Sequence, residues 1–162
     1  MGAGKTFLGH QLAQELQLEF IDTDEIITSR FHCSIKTLFE NKGEDRFRQM
    51  ESAVLKELIT NQKKAVVATG GGLPCNENNL TLMKENGITV FLDWPIETLV
   101  NRIKCDSHRP LIDAHKVDLV KYVSEELKRR RPFYEKALLA LTNPTFEDLL
   151  EAIGDRLQFL NP

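Results

Sequence analysis

Residues 2–6 read Gly2-Ala3-Gly4-Lys5-Thr6, and the fold turns on how that stretch is read. Glycines let backbone N–H groups turn toward phosphate oxygens with no Cβ in the way. The residues that follow, Lys5 to Leu16, read as a helix with Leu8, Leu12 and Leu16 on one face. The helix presents its positive end to an anion. Lys5 adds a charge for β and γ phosphates, and the Thr6 hydroxyl is a ligand for Mg²⁺. Five residues alone are a weak signal, equally open to a plain Gly-rich tail. Their position before a helix, with acidic residues after the next strand, makes them the end of a phosphate-binding loop.

Working outward, Leu18 to Asp22 reads as a short strand ending in acidic residues, and Asp24 to Arg30 and Ile35 to Asn41 read as helices. Gly43 breaks the pattern before a longer helix, Arg46 to Thr60. Ala65 to Ala68 reads as a buried parallel strand bounded by Gly70-Gly71-Gly72. Helix Glu77 to Asn86, strand Ile88 to Leu92 and helix Ile96 to Lys104 follow. Cys105 to Lys116 is polar and interrupted by Pro110, which predicts a mobile loop. Val117 to Arg131 is helical up to Pro132, and Thr145 to Leu160 is a final amphipathic helix. Strands alternating with helices predict an α/β fold, three layers with a central parallel sheet flanked by helices. In such sheets ligands sit at the C-terminal strand ends, where Asp22, Asp24 and the three glycines fall.

The 162 residues suit one compact domain spanning 1–162. Apolar residues at 41% and charged residues at 28% are ordinary for a globular protein. The net charge of -3 argues against a nucleic-acid partner. No segment is long and apolar enough for a membrane span. Cys33, Cys75 and Cys105 are odd in number and lack metal-ligand spacing, so they read as reduced thiols of a cytoplasmic protein. His10, His32, His108 and His115 show no metal spacing and read as surface or loop residues. Trp94 reads as packing at a strand end, with a place beside a nucleotide as the alternative.

Further elements line up in order: Asp22-Thr23-Asp24 at a strand end, Phe47-Arg48 with Glu51 one turn on, Gly70-Gly71-Gly72, Arg109-Pro110-Leu111, and Arg130 four residues before Tyr134. With Gly-Ala-Gly-Lys-Thr, this set resembles the shikimate kinase family over nearly the whole chain. The resemblance implies a P-loop kinase fold and ATP-dependent phosphorylation of shikimate in aromatic amino acid biosynthesis. It implies that Asp22 helps position Mg²⁺ and that Asp24 binds the acceptor hydroxyls and takes up a proton. It implies that Arg48 and Arg130 clamp the substrate carboxylate, that Gly71 and Gly72 touch the substrate ring, that Arg102 packs on adenine, and that Arg109 reaches in from a lid over 105–116. Lys5, Asp24 and Arg109 are then the catalytic residues, and a monomer is the expected state.

The residue chemistry supports most of this. Guanidinium groups bind carboxylates through two parallel hydrogen bonds, and a carboxylate at Asp24 suits hydroxyl recognition. Phosphoryl transfer needs alignment and positive charge more than covalent help from the protein. A lid would keep water from taking the phosphoryl group. Alternatives remain open at several positions. Asp22 and Asp24 also suit helix capping. Arg129, Arg130 and Arg131 form a run of the kind that is usually a solvated face, and only the spacing to Tyr134 singles out Arg130. Glu51 suits holding the Arg48 fork in place. The family's loop often reads Gly-Phe-Met-Gly-Ala-Gly-Lys, so Met1 matches its internal Met, and a strand plus Gly-Phe, roughly ten residues, is expected upstream. Without that strand the sheet would carry a gap. Two other functions fit less well: a kinase of another small hydroxy acid such as gluconate, and an inactive domain of the same family.

Overall fold

The protein is described by a computed structural model covering residues 2–61, 64–105 and 118–160. The elements are α1 (Lys5–Glu15), β1 (Glu19–Asp22), α2 (Thr23–Phe31), α3 (Ile35–Thr60), β2 (Ala65–Ala68), a 3₁₀ turn (Leu73–Cys75), α4 (Glu77–Asn86), β3 (Val90–Asp93), α5 (Ile96–Cys105), α6 (Leu119–Tyr134), β4 (Leu139–Thr142) and α7 (Phe146–Leu160). They form two compact units, residues 6–80 and residues 2–5 with 81–160.

In the unit of residues 6–80, β1 and β2 pair in parallel, with Glu19 opposite Ala65 and Asp22 opposite Ala68. A parallel pair needs a crossover, and α2 and α3 supply it. Side chains cap both helices: Asp22 accepts from the Asp24 N–H at 2.9 Å, and Ser34 accepts from Thr37 at 3.1 Å. The helix breaks expected at Gly43 is a kink inside one long α3, where Gly43 takes φ 77°, a value with little steric cost only for glycine. Ile27, Leu38, Phe47 and Val54 form the core between α2 and α3.

In the other unit, β3 and β4 pair in parallel from Val90–Leu139 to Asp93–Thr142, with α5 and α6 as the described part of the crossover. Leu99, Val100, Ile103 and Val123 form its core. Two features differ from the sequence reading. β4 was not foreseen, because Leu-Ala-Leu-Thr is short and lacks β-branched residues before Thr142. Helix α6 also runs through Pro132 to Tyr134. Proline there removes the N–H that would bond the carbonyl four residues earlier, so the last turn forms with one hydrogen bond fewer.

The four described strands make two parallel pairs, one in each unit. The reading of β2 as a buried strand is corrected. Ala68 is buried, but Val67 is 39% exposed. Among the described residues no helix is long and apolar enough to cross a membrane. The loop over 105–116, apart from Cys105 at the end of α5, lies outside the described residues.

The approach of α1 to β1 is tight at Gly9, where a Cβ would stand 2.5 Å from the Phe20 ring. Gly9→Ala gains about 1 kcal/mol of helix propensity but incurs about 1–3 kcal/mol of overpacking. The variant is expected to unfold at lower urea concentration than the parent, with an unchanged slope; an equal or higher midpoint would count against this packing.

Candidate active site

In the unit of residues 6–80, the C-terminal ends of β1 and β2 lie side by side at Asp22 and Ala68. Everything that follows those ends is drawn together. The buried Gly70 N–H donates to Thr23 Oγ1 at 3.0 Å, fastening the glycine turn to the start of α2. A Cβ on Gly70 would stand 2.6 Å from Glu51 Oε1 and 2.7 Å from Asp24 Oδ1. A Cβ on Gly72 would stand 2.0 Å from Arg48 Nη1. Any side chain at either position would collide with one of three charged groups. The glycines are therefore required by close approach, and Asp24, Glu51 and Arg48 converge on one turn.

Arg48 is fixed from two sides. Its Nη1 donates to Glu51 Oε2 at 2.6 Å, and its Nε and Nη2 donate to Glu44 Oε1 at 3.3 and 2.8 Å. Glu51 is 1% exposed, so the pair on that side is buried. Burial disfavours the Arg48 charge, but the hydrogen bonds it donates to Glu51 and Glu44, with their negative charges, outweigh it and raise the guanidinium above its ordinary range. Three of five N–H donors are engaged, which leaves two for a ligand. The reading of Glu51 as the partner of Arg48 holds. Glu44 was missed, although its place four residues before Arg48 is the spacing of a helical ion pair.

Asp22 does two things at once. Oδ1 caps α2, and Oδ2 accepts from Thr6 Oγ1 at 3.5 Å. Two oxygen donors so placed fit a hard cation completed by water and phosphate oxygens.

The other unit holds the rest of the set. Gly2 and Gly4 take φ 69° and 76°. A Cβ on Gly2 would stand 2.9 Å from the Leu99 carbonyl, so the loop lies directly on α5. Arg102 Nη1 is 3.5 Å from the Gly2 carbonyl, and Ala3 packs on the α5–α6 core. Lys5 is the first residue of α1. The arginine run divides by partner. Arg129 is exposed and bonds Glu126. Arg131 is held by Asp93 at 2.7 Å, which raises its basicity, against a smaller effect of burial and with help from Glu135. Arg130 is 15% exposed, pairs with Glu126 and lines a small cavity with Leu99, Val123 and Tyr134. Arg109 lies outside the described residues.

A family model for shikimate kinase matches residues 1–155. A shikimate kinase of Azobacteroides pseudotrichonymphae is 40% identical, with 97% of this chain and 95% of that protein covered. One of Sulfurihydrogenibium is 43% identical over 79% of this chain and 76% of that protein. Among solved structures, the shikimate kinase of Acinetobacter baumannii in complex with shikimate superposes with a TM-score of 0.84 at 35% identity, covering 99% and 90% of the two chains. That of Bacteroides thetaiotaomicron gives 0.87 at 32% identity, covering 98% and 94%. The expected α/β P-loop kinase fold is the fold of these structures.

Two outcomes follow from the ion pairs. Arg48→Met removes the guanidinium paired with a buried carboxylate and is expected to cost about 3 kcal/mol or more in urea unfolding, with most of the loss recovered in Arg48→Met/Glu51→Met; an unaltered midpoint in the single variant would contradict a buried pair. Glu126 sits below its ordinary 4.5: burial raises it, but the Arg129 hydrogen bond and the charges of Arg130 and Arg129 outweigh that. A depressed carboxylate stabilises the fold above 4.5 and stops doing so as pH falls through its lower folded value. Glu126→Gln is expected to flatten that acid limb of the stability profile, and an unchanged limb would refute the pairing.

Proposed function

Because the chain belongs to the shikimate kinase family, we propose that it transfers the terminal phosphoryl group of ATP to a hydroxyl of shikimate, giving shikimate 3-phosphate and ADP. The observation that carries this reading is the glycine turn, which has the Asp24 and Glu51 carboxylates against Gly70 and the Arg48 guanidinium against Gly72. A hydroxyl acceptor and a carboxylate clamp on one short turn suit a small polyhydroxylated acid.

In this reading Asp24 accepts the hydrogen bond of the attacking hydroxyl and takes its proton as the O–P bond forms. Arg48 offers its two remaining N–H groups to the substrate carboxylate, and Arg130 supplies the second fork. The Gly71 and Gly72 backbone lies against the ring. On the donor side, Gly2, Ala3 and Gly4 turn backbone N–H groups to the phosphates, Lys5 balances charge on the transferring group, and Arg102 stacks on the base. Arg109, outside the described residues, adds charge. Thr6 and Asp22 would hold Mg²⁺, which when bound would supply positive charge against the phosphates. The enzyme acts as a cytoplasmic monomer without a nucleic-acid or membrane partner, a view supported by domain size, acidic net charge and thiol usage.

Gluconate is the competing acceptor, and a coupled ADP-release assay with both acids separates them. Shikimate is expected to turn over, with Asp24→Asn losing about 10²–10⁴-fold in kcat. Gly72→Ala pushes the Arg48 fork aside and is expected to raise the shikimate KM about tenfold, the loss of a charge-assisted hydrogen bond, with the ATP KM unmoved. Turnover of gluconate and not of shikimate would sink the assignment.

A further inference from the structure

We propose that Trp94 is a positioning residue for the nucleotide base. Its indole holds the Arg102 guanidinium flat, so that indole, guanidinium and base form a three-layer stack beside the phosphate loop. The inference rests on the reading above in which Arg102 meets the base. Trp94 itself touches no substrate.

Three observations carry it, all within residues 2–5 and 81–160. The Arg102 Cζ lies 3.8 Å from the Trp94 ring centroid, at the short end of cation–π contact. The same guanidinium is 3.5 Å from the Gly2 carbonyl, and a Cβ on Gly4 would stand 3.6 Å from its Nη1, so the stack sits on the loop expected to cradle the phosphates. Arg102 is otherwise exposed at the end of α5. An exposed arginine has much rotamer freedom to lose, and a face that fixes it in advance removes that cost from ligand binding. With one guanidinium face on the indole, the other is left for a base.

The indole N–H explains why this is a tryptophan. Trp94 Nε1 is buried with no hydrogen-bond partner. A phenylalanine would fill the same place against the α5–α6 core without stranding a donor. What indole offers beyond phenyl is the stronger face for a cation. Position 94 follows directly on β3, whose last residue Asp93 holds Arg131, so the strand end is fixed on its far side as well.

The experiment measures affinity for ADP and for inorganic tripolyphosphate by calorimetry, for the parent chain, Trp94→Leu, Trp94→Phe, Arg102→Met and the double variant Trp94→Leu/Arg102→Met. Circular dichroism checks that each is folded. Trp94→Leu and Arg102→Met are each expected to weaken ADP about 2- to 30-fold, Trp94→Phe by less, and the double variant no more than the worse single. Tripolyphosphate affinity is expected to hold in Trp94→Leu. Trp94 is the chain's one tryptophan, so its emission should change as ADP saturates and stay constant with tripolyphosphate. If Arg102→Met binds ADP as the parent does, or the parent does not bind it, the reading of Arg102 fails and this inference with it. If Arg102→Met weakens ADP while Trp94→Leu does not, or the two losses multiply, or Trp94→Leu weakens tripolyphosphate equally, the inference alone is overturned.

Discussion

The contact between Arg48 and the glycine turn constrains the whole acceptor side. A guanidinium that would overlap any Cβ at Gly72 can occupy that space only if something holds it there, and Glu51, 1% exposed, does so from inside α3. A buried carboxylate is tolerated only when it is paired. Glu51 therefore needs Arg48 as much as Arg48 needs Glu51, and both need the turn to be bare backbone. The turn in turn is tied to α2 through Thr23, which sets Asp24 beside Gly70. One ion pair, one hydroxyl and two missing side chains thus fix the relative places of Glu51, Arg48 and Asp24.

This arrangement limits what can approach the glycine turn. Two carboxylates, Asp24 and Glu51, converge on Gly70, which would repel an anionic group placed there. Arg48 is already partly neutralised by Glu44 and Glu51, yet retains N–H groups. A ligand that puts hydroxyls toward Asp24 and its one carboxylate toward Arg48 satisfies both ends. An anion at the Asp24 end would meet like charge from both carboxylates.

Much of this was legible in the sequence because it was written in spacing. The phosphate loop before a helix, the acidic pair after the next strand, Arg48 with Glu51 one turn on, and the three glycines all depend on local order along the chain. The misses depend on what lies opposite. β4 is four residues long and becomes a strand because it pairs with β3, a fact with no local signal. Thr23 stood in plain view between two aspartates, but only the fold shows that its hydroxyl reaches a glycine 47 residues away.

The arginine triplet shows the limit most clearly. Arg129, Arg130 and Arg131 are chemically identical and adjacent, and a helix turns each about 100° from the last. Along the chain, only the distance to Tyr134 distinguished them. In the structure they separate by surroundings: Arg129 faces solvent with Glu126, Arg131 is taken by Asp93, and Arg130 is mostly buried with its Nε unpartnered. A guanidinium engaged on both sides, as Arg131 is by Asp93 and Glu135, has little left for a ligand, and a solvated one gains little from binding. Arg130 is desolvated, half-satisfied and already restrained by Glu126, which is the condition in which a further carboxylate would gain most. Spacing along the chain and burial in the fold are separate signals, and each sets Arg130 apart from its two neighbours.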